Sequence, residues 1–204
     1  MMKKLALFSS LIISLFVFAS CATLQTSSVK VVPYVDLSKY TGTWYEIARY
    51  PNRFQEGCVG AVANYTLRKD GTIEVINKCR IGNLQGRIVA ATGKAWVVDK
   101  DTNARLKVSF LMPLQGDYWI IDLGQNYEYA VVGHPDRKYL WILSRTPEMD
   151  EGLYKQILER LKVQGYDVSR LLKTPQAEMP KAQESQVKQP KGKKSKGKKP
   201  QTKN

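Results

Sequence analysis

The sequence contains few of the residues that carry most catalytic chemistry. Its 204 residues include one histidine, His134, and three cysteines. These residues do not have the spacing of a metal site, and the sequence has neither a phosphate-binding loop nor a nucleophile elbow. His134 precedes Pro135 in a stretch typical of a surface turn. These absences argue against an enzyme and predict no metal and no cofactor.

A hydrophobic run long enough to cross a membrane is also missing. The longest apolar stretch, residues 5–18, has 14 residues. As a helix it would be about 21 Å long, shorter than a bilayer core of about 30 Å. It follows Lys3-Lys4 and ends at Ala19-Ser20-Cys21, which is the basic, apolar and small-residue order of a signal peptide. We therefore predict that residues 1–20 are a cleaved signal peptide.

The positive charge is concentrated at the C-terminus. The chain carries a formal charge of +14, and residues 173–204 contribute ten Lys against two Glu, or +8. This segment has no aromatic residues and is rich in Lys, Pro, Gln, Ser and Gly, so it cannot bury apolar surface. We predict a disordered tail over residues 174–204, either a solubility tail or one that contacts anionic partners. The rest of the chain has no basic helix with base-reading residues, so no nucleic-acid binding is expected.

Turn residues separate apolar segments at regular intervals. Lys69-Asp70-Gly71 between two such segments is a strong hairpin signal. Strands are predicted at residues 42–50, 58–68, 72–80, 86–98, 104–112, 117–123, 127–133 and 139–145. Eight is the number of antiparallel strands at which a closed barrel can hold one small ligand. Residues 150–164 have apolar positions at helical spacing, with Gly165 as a stop. The predicted fold is all-β, an eight-stranded up-and-down antiparallel barrel with one C-terminal α-helix packed outside.

Two segments resemble the lipocalin family. Gly42-Thr43-Trp44-Tyr45-Glu46-Ile47-Ala48-Arg49 and Asp136-Arg137-Lys138-Tyr139-Leu140-Trp141-Ile142-Leu143-Ser144-Arg145 look like the first and last strands of bacterial outer-membrane lipocalins. The resemblance covers about residues 30–175, with the barrel and helix expected at 34–173. It implies that Gly42, Trp44 and Arg145 close one end of the barrel, with the Arg145 guanidinium over the Trp44 ring.

The same resemblance gives Cys21 a role. Cys21 after Ala-Ser is similar to the lipobox of bacterial lipoproteins, in which that cysteine carries the lipid. Acyl chains on Cys21 would hold the protein on a membrane, with residues 21–33 as a tether. The expected location is the bacterial cell envelope, lipid-anchored to the outer membrane, where anionic envelope components could meet the tail. Ordinary secretion is the alternative.

Alternation along the strands, with Trp44 facing inward, and the family pattern predict which residues line the interior. The predicted ligand cavity comprises Glu46, Ala48, Tyr50, Ala61, Ala63, Tyr65, Val75, Asn77, Val108, Phe110, Tyr118, Ala130, Tyr139 and Trp141. Its small residues leave volume for an acyl chain or similar hydrophobe. A carboxylate inside such a cavity needs a partner. Candidate partners of Glu46 are Tyr65, Asn77 and Tyr118, and its role is left open.

If Trp44 marks the closed end, the loops at 51–57, 81–86, 113–116 and 134–138 lie at the open mouth. The mouth then carries four arginines: Arg53, Arg80, Arg87 and Arg137. They would favour an anionic head group such as a carboxylate or phosphate. A solvated basic rim is the alternative.

The two remaining cysteines, Cys58 and Cys79, lie near the mouth on the predicted second and third strands. An exported compartment permits a disulfide between them. A hairpin centred on Asp70-Gly71 pairs residues whose numbers sum to 141, whereas 58 + 79 is 137, so a bulge must absorb the difference. If Cys79 were instead free beside His134, it would be the nucleophile that a lipocalin-type isomerase needs.

The expected function is a lipid-anchored envelope lipocalin that stores or carries fatty acids or lysophospholipids. The alternatives are a structural lipoprotein with a filled barrel and, less favoured, a Cys-dependent isomerase acting on a lipid. Whether the chain forms a homodimer is left open.

Overall fold

The computed structural model describes residues 28–177. The predicted signal peptide, Cys21 and the tail from residue 178 lie outside the described residues. The described chain confirms the predicted eight-stranded barrel with one C-terminal helix. Its elements are α1 (Leu37–Tyr40), β1 (Gly42–Arg49), β2 (Cys58–Leu67), β3 (Ile73–Ile81), β4 (Ile88–Val97), β5 (Arg105–Leu111), β6 (Leu114–Leu123), β7 (Tyr129–Gly133), β8 (Leu140–Ser144), α2 (Glu151–Val163) and the two-residue strand β9 (Leu172–Lys173).

Each of the eight strands pairs antiparallel with the next, and β1 pairs with both β8 and β2, which closes the ring. A closed ring leaves no free sheet edge. The turns that follow β2, β4 and β6 lie at one end of the barrel, the floor. The loops that follow β1, β3, β5 and β7 lie at the other end, the mouth, as the sequence predicts.

The core consists of two layers on opposite faces of the sheet. The inner cluster fills the lower half of the barrel around Trp44, Leu106 and Ile120. The outer cluster lies between the sheet and α2, where Ile157 and Leu161 are 0% and 1% exposed. α2 begins after Asp150, whose side chain accepts a hydrogen bond from the Leu153 amide at 2.8 Å, because the first amides of a helix need acceptors.

A bulge in β1 changes which residues face the interior. Pairing with β8 slips by one residue between Glu46 and Ala48, so Ile47 and Ala48 both face outward and Arg49 turns inward. The predicted interior positions of Ala48 and Tyr50 are therefore wrong. Both belong to the outer cluster, since strict alternation holds only along an uninterrupted ladder.

The register of the β2–β3 hairpin also differs from the prediction. Tyr65 lies opposite Val75, a sum of 140 rather than 141, and a bulge before Val62 brings Cys58 opposite Ile81. The slip places Cys79 diagonally across from Cys58, with their Cα atoms 5.5 Å apart and a disulfide between them. This separation is usual for a disulfide, and the predicted bridge is confirmed.

Both ends of the described chain pack on the barrel. The Val32 amide donates to the Ile120 carbonyl at 3.0 Å, so the described end of the segment predicted as a tether packs on the barrel. At the other end, the Thr174 amide donates to Ile47 at 2.9 Å and the Gly60 amide donates to Pro175 at 2.8 Å. Residues 172–176 thereby fill the gap where β1 separates from β2, and the folded unit extends beyond 34–173.

The floor is closed by the predicted contact between Trp44 and Arg145. Trp44 is fully buried, and the Arg145 guanidinium carbon lies 3.7 Å from the centroid of its ring. The indole nitrogen donates to the Tyr40 carbonyl at 2.9 Å, which fixes the ring plane. Gly42 has φ +89°, and a Cβ there would lie 3.4 Å from the guanidinium, so glycine lets the chain turn beside it.

Arg145 also forms hydrogen bonds with the backbone at the floor. Its guanidinium donates to the carbonyls of Lys39 at 2.6 Å, Thr43 at 2.9 Å and Tyr127 at 3.2 Å. These carbonyls come from α1, β1 and the β6–β7 turn, so one side chain holds three segments against the indole. Planar, always-charged guanidinium is suited to this fork of acceptors.

Replacing Arg145 by Ala should lower the free energy of unfolding by about 2–4 kcal/mol, because it removes a cation–π contact and three charge-assisted hydrogen bonds. Urea denaturation followed by circular dichroism measures this loss. The matched control is Arg105→Ala, which removes a guanidinium 4.9 Å from the Trp119 ring on a side chain that is 38% exposed. The control should cost less than about 1 kcal/mol; equal losses would contradict a special role for the floor contact.

Candidate functional site

The interior is open from the mouth down to the middle of the barrel. Ala63, Asn77 and Ala91 lie side by side on β2, β3 and β4 and face inward, in phase with Tyr65 and Val75 of the inner cluster. Asn77 and Ala91 are nevertheless exposed to solvent. One level deeper, Tyr65 is 7% and Val75 4% exposed. Inward-facing side chains that contact solvent show open space above a closed floor.

Most residues predicted to line the cavity do face the interior. Those that the structure places on the inner face are Glu46, Ala61, Ala63, Tyr65, Val75, Asn77, Val108, Phe110, Tyr118, Ala130, Tyr139 and Trp141. Near the mouth, Phe110 is 44% exposed and its ring covers Gly93, where any Cβ would lie 2.7 Å from it. Aromatic rings and small apolar residues thus make up most of this wall, with Glu46 and Asn77 as polar members.

Three tyrosines form a hydrogen-bonded group at the floor, which we call the tyrosine cluster. The hydroxyl oxygens of Tyr40 and Tyr118 are 2.8 Å apart, and Tyr118 donates to Tyr65 at 3.1 Å. Tyr40 and Tyr65 stack with centroids 5.8 Å apart. Burial raises the pKa of Tyr65 to about 12 and raises the pKa of Tyr40 and Tyr118 well above the ordinary value. The cluster therefore stays protonated at neutral pH.

Glu46 is buried in the barrel wall and is fully partnered. One oxygen accepts from the Arg49 guanidinium at 2.8 Å and from the Thr174 hydroxyl, and the other accepts from the Gln55 amide at 2.5 Å. The sequence analysis gave Tyr65, Asn77 and Tyr118 as candidate partners of Glu46. None of these three residues is its hydrogen-bond partner. The difference arises because the β1 bulge turns Arg49 inward and the C-terminal strand brings in Thr174.

Arg49 is a residue that sequence reasoning missed. Besides Glu46 it donates to the Thr174 hydroxyl at 3.0 Å and to the carbonyls of Gln55 and Cys58, each at 3.1 Å. It therefore joins β1, the mouth loop, β2 and the C-terminal segment. The sequence carries no clear signal for this role, because residues three apart in a regular strand face opposite sides and share one face only across a bulge.

The cations of the mouth are not equivalent. Arg53 and Arg87 are exposed at the rim, and Arg80 is half-buried and donates to the Gly86 carbonyl at 3.2 Å. Arg137 was expected to join them, but it donates to the Gln164 carbonyl at 2.8 Å beyond the end of α2. The predicted role of Arg137 at the mouth is therefore wrong, because its side chain turns outward toward the helix.

The mouth also carries exposed apolar side chains that the sequence reasoning did not identify. Leu111 and Met112, at the turn between β5 and β6, are each 70% exposed. The exposed apolar residues at this end are Phe54, Ile81, Ile88, Phe110, Leu111, Met112 and Leu114. The predicted strands had placed several of them in the sheet, where their exposure is not visible from alternation. The rim therefore combines apolar surface with cations, which suits an amphipathic molecule.

The enzyme alternative loses its nucleophile. Cys79 is in the disulfide with Cys58 and has no free thiol, while His134 pairs with Asp136 in the turn after β7, 2.5 Å away. Among residues 28–177 no group of His, Cys, Asp and Glu is placed to hold a metal ion. Over the same residues, no helix has both the length and the apolar character needed to cross a membrane.

Removing one partner of the Glu46–Arg49 pair should destabilise the fold more than removing both partners. Arg49→Met leaves a buried carboxylate without its cation and should lower the free energy of unfolding by about 3–5 kcal/mol. Adding Glu46→Gln to that variant removes the stranded charge and should recover part of the loss. A double-mutant cycle by urea denaturation measures the coupling; additive losses would show that the two side chains do not act as a pair.

The tyrosine cluster should make the fold sensitive to alkaline pH. Tyr65 holds its proton more tightly in the folded state, with a pKa of about 12 against 10, so its contribution is complete below pH 10 and is lost as pH rises toward 12. Tyr65→Phe should reduce the loss of stability over this window by on the order of 2 kcal/mol. Urea denaturation at several pH values from 9 to 12 tests this; identical pH profiles for the two proteins would refute it.

Comparison with known proteins agrees with this architecture. A family model described as a lipocalin-like domain matches residues 35–176. Temperature-induced lipocalin-1 of Arabidopsis thaliana is 42% identical over 165 residues, covering 76% of this chain and 87% of that protein. Outer membrane lipoprotein Blc of Escherichia coli is 39% identical over 171 residues, covering 84% of this chain and 96% of that protein.

Solved structures show the same fold at lower identity. Insecticyanin from the tobacco hornworm Manduca sexta has a TM-score of 0.59 at 20% identity, covering 76% of this chain and 86% of that chain. The family model begins just before α1 and ends after β9, so it includes every strand of the barrel and both helices. The chain belongs to the lipocalin family.

Proposed function

We propose that this lipocalin binds fatty acids or lysophospholipids in its interior and stores or carries them. The observation that supports this most directly is the exposure of Asn77 and Ala91, which point into the barrel. Above the closed floor much of the wall is apolar, with Val108, Phe110 and Trp141 among its members. The inward-facing Glu46 and Arg49 are paired with each other. An open apolar tube with one polar rim is suited to a ligand that has a hydrocarbon chain and one polar end.

The expected affinity follows from burial of the chain. About fourteen methylene groups at ~0.8 kcal/mol each contribute on the order of 11 kcal/mol before costs are deducted. Lost translational freedom and chain ordering offset several kcal/mol of this. Micromolar binding is therefore expected without a salt bridge inside the barrel.

The head group is expected at the mouth. Arg53 and Arg87 are exposed there and favour a carboxylate or phosphate. Arg49 lies deeper, but its guanidinium is already paired with Glu46 at 2.8 Å. A second anion beside that carboxylate would be repelled. We therefore place the acyl chain toward the floor and the head group at the rim.

The location in the cell is proposed from the sequence and the named relatives. Residues 1–20 would be a signal peptide and Cys21 the lipid-bearing residue, as the outer membrane lipoproteins among the relatives support. Val29 packs on the barrel, so the eight steps from Cys21 to Val29 span at most about 28 Å when extended. The barrel would then lie close to the outer membrane. The tail would be free to contact anionic envelope components.

Two adjacent alanines of β4 provide the test. Ala91 faces the interior and Ala90 faces outward, and both are exposed. In delipidated full-length protein, Ala91→Trp should weaken binding of a fluorescent fatty acid at least tenfold because the indole occupies the open volume. Ala90→Trp should bind like wild type.

Circular dichroism shows whether both variants keep the barrel. Failure of the wild-type protein to take up the fluorescent acid would favour a structural lipoprotein without ligand. Equal affinities for the Ala90 and Ala91 variants would place the ligand outside the barrel.

A further inference from the structure

The tyrosine cluster ends in a hydroxyl proton that has no acceptor among the described residues. Tyr118 donates its one proton to Tyr65 at 3.1 Å. In the 2.8 Å contact with Tyr40, Tyr118 must therefore be the acceptor and Tyr40 the donor. Three hydroxyls supply three protons, and two of these are used within the cluster. The proton of Tyr65 is left over.

The neighbours of Tyr65 leave only the interior for this proton. The Glu46 carboxylate interacts electrostatically with Tyr65, but its oxygens accept from Arg49, Gln55 and Thr174 and form no hydrogen bond with Tyr65. Tyr65 itself is 7% exposed. Directly above it are Ala63 and the open level of the barrel. The donor therefore lies at the bottom of the space that the acyl chain would occupy.

A buried donor that finds no acceptor costs binding free energy, on the order of tenfold in an equilibrium constant. The chain of hydroxyls strengthens the requirement, since each donor polarises the next. The methyl end of a plain hydrocarbon chain placed against Tyr65 would displace any water and leave the hydroxyl proton without an acceptor. A ligand oxygen at this depth would satisfy it.

We propose that Tyr65 is the deep polar contact of the ligand site and that the barrel selects acyl chains bearing an acceptor oxygen, such as a hydroxyl or keto group, far from the head group. This inference rests on the proposed function and specifies its ligand class as oxygenated fatty acids or lysophospholipids.

The depth of the contact agrees with this class. Tyr65 lies seven residues along β2 from Cys58 at the mouth. At ~3.3 Å per residue and a strand tilt of ~40°, this is about 18 Å along the barrel axis. A head group at the rim therefore places the Tyr65 hydroxyl against the distal part of a long chain. The high pKa of all three phenols keeps the donor in place across the physiological range.

The experiment compares two ligands that differ by one oxygen. Palmitic acid and 16-hydroxypalmitic acid displace a fluorescent fatty acid from full-length, delipidated wild-type protein and from the Tyr65→Phe variant. The ratio of the two dissociation constants is compared between the wild-type protein and the variant. The cost of desolvating the ligand hydroxyl is the same in both ratios and therefore cancels. This ratio should shift at least fivefold against the hydroxy acid when Tyr65 is replaced.

Tyr40→Phe is the matched control, because it removes one hydroxyl from the opposite end of the same cluster and leaves the Tyr65 proton available. It should retain most of the wild-type ratio. An unchanged ratio in Tyr65→Phe, or equal shifts in both variants, would overturn the inference. Binding of palmitic acid with no discrimination would leave the proposed function intact, whereas binding of neither acid would remove both.

A second measurement uses only the wild-type protein. A 15-oxo fatty acid labelled with ¹³C at the keto carbon should show its carbonyl stretch at lower frequency when bound than in an alkane, because Tyr65 donates to it. A bound frequency equal to that in the alkane would overturn the inference even if the Tyr65→Phe variant failed to fold.

Discussion

A one-residue bulge in β1 is the constraint on which the site depends. It places Glu46 and Arg49 on the same side of a strand that would otherwise present them to opposite faces. Their ion pair, at 2.8 Å, is almost fully buried, and a buried pair needs further hydrogen bonds to offset its lost hydration. The mouth loop, β2 and the C-terminal segment supply most of them, and among the described residues only the Arg49 Nε is buried without a partner. One local slip therefore ties four parts of the chain together and holds the seam between β1 and β2.

The floor uses a different arrangement for the same purpose. Arg145 lies 3.7 Å from the Trp44 ring and donates to carbonyls from three segments, so neutral acceptors and an aromatic ring hold the half-buried guanidinium. Above it the tyrosine cluster is neutral. Among the residues that the structure describes, the polar groups of the lower barrel thus hydrogen-bond with one another, and the proton of Tyr65 is left without an acceptor. The Tyr65 hydroxyl is therefore the group from which the chemistry of the ligand is inferred.

Much of the fold could be predicted because its signals are local. Hairpin turns such as Lys69-Asp70-Gly71, alternating strands and the helical spacing of Leu153, Ile157 and Leu161 all depend on neighbours in the chain. Alternation correctly predicted which residues face the interior wherever strand pairing is regular, as for Ala63, Tyr65 and Val75. The errors at Ala48 and Tyr50 come from the bulge, which leaves no clear mark in the sequence. Arg137 was misplaced because the position of a loop does not determine where a long side chain turns.

The sequence by itself determined the strand count and the outer helix, because each depends on periodicity within a short segment. Resemblance to a known family added the contact between Trp44 and Arg145, whereas the disulfide between Cys58 and Cys79 was permitted by the sequence but left open beside a free Cys79. Only the tertiary structure decided the partners of Glu46, the inward turn of Arg49 and the assembly of Tyr40, Tyr65 and Tyr118. These groups come from residues up to 128 positions apart. Their meeting depends on register and bulges, which are set by the packing of the whole barrel rather than by any local pattern.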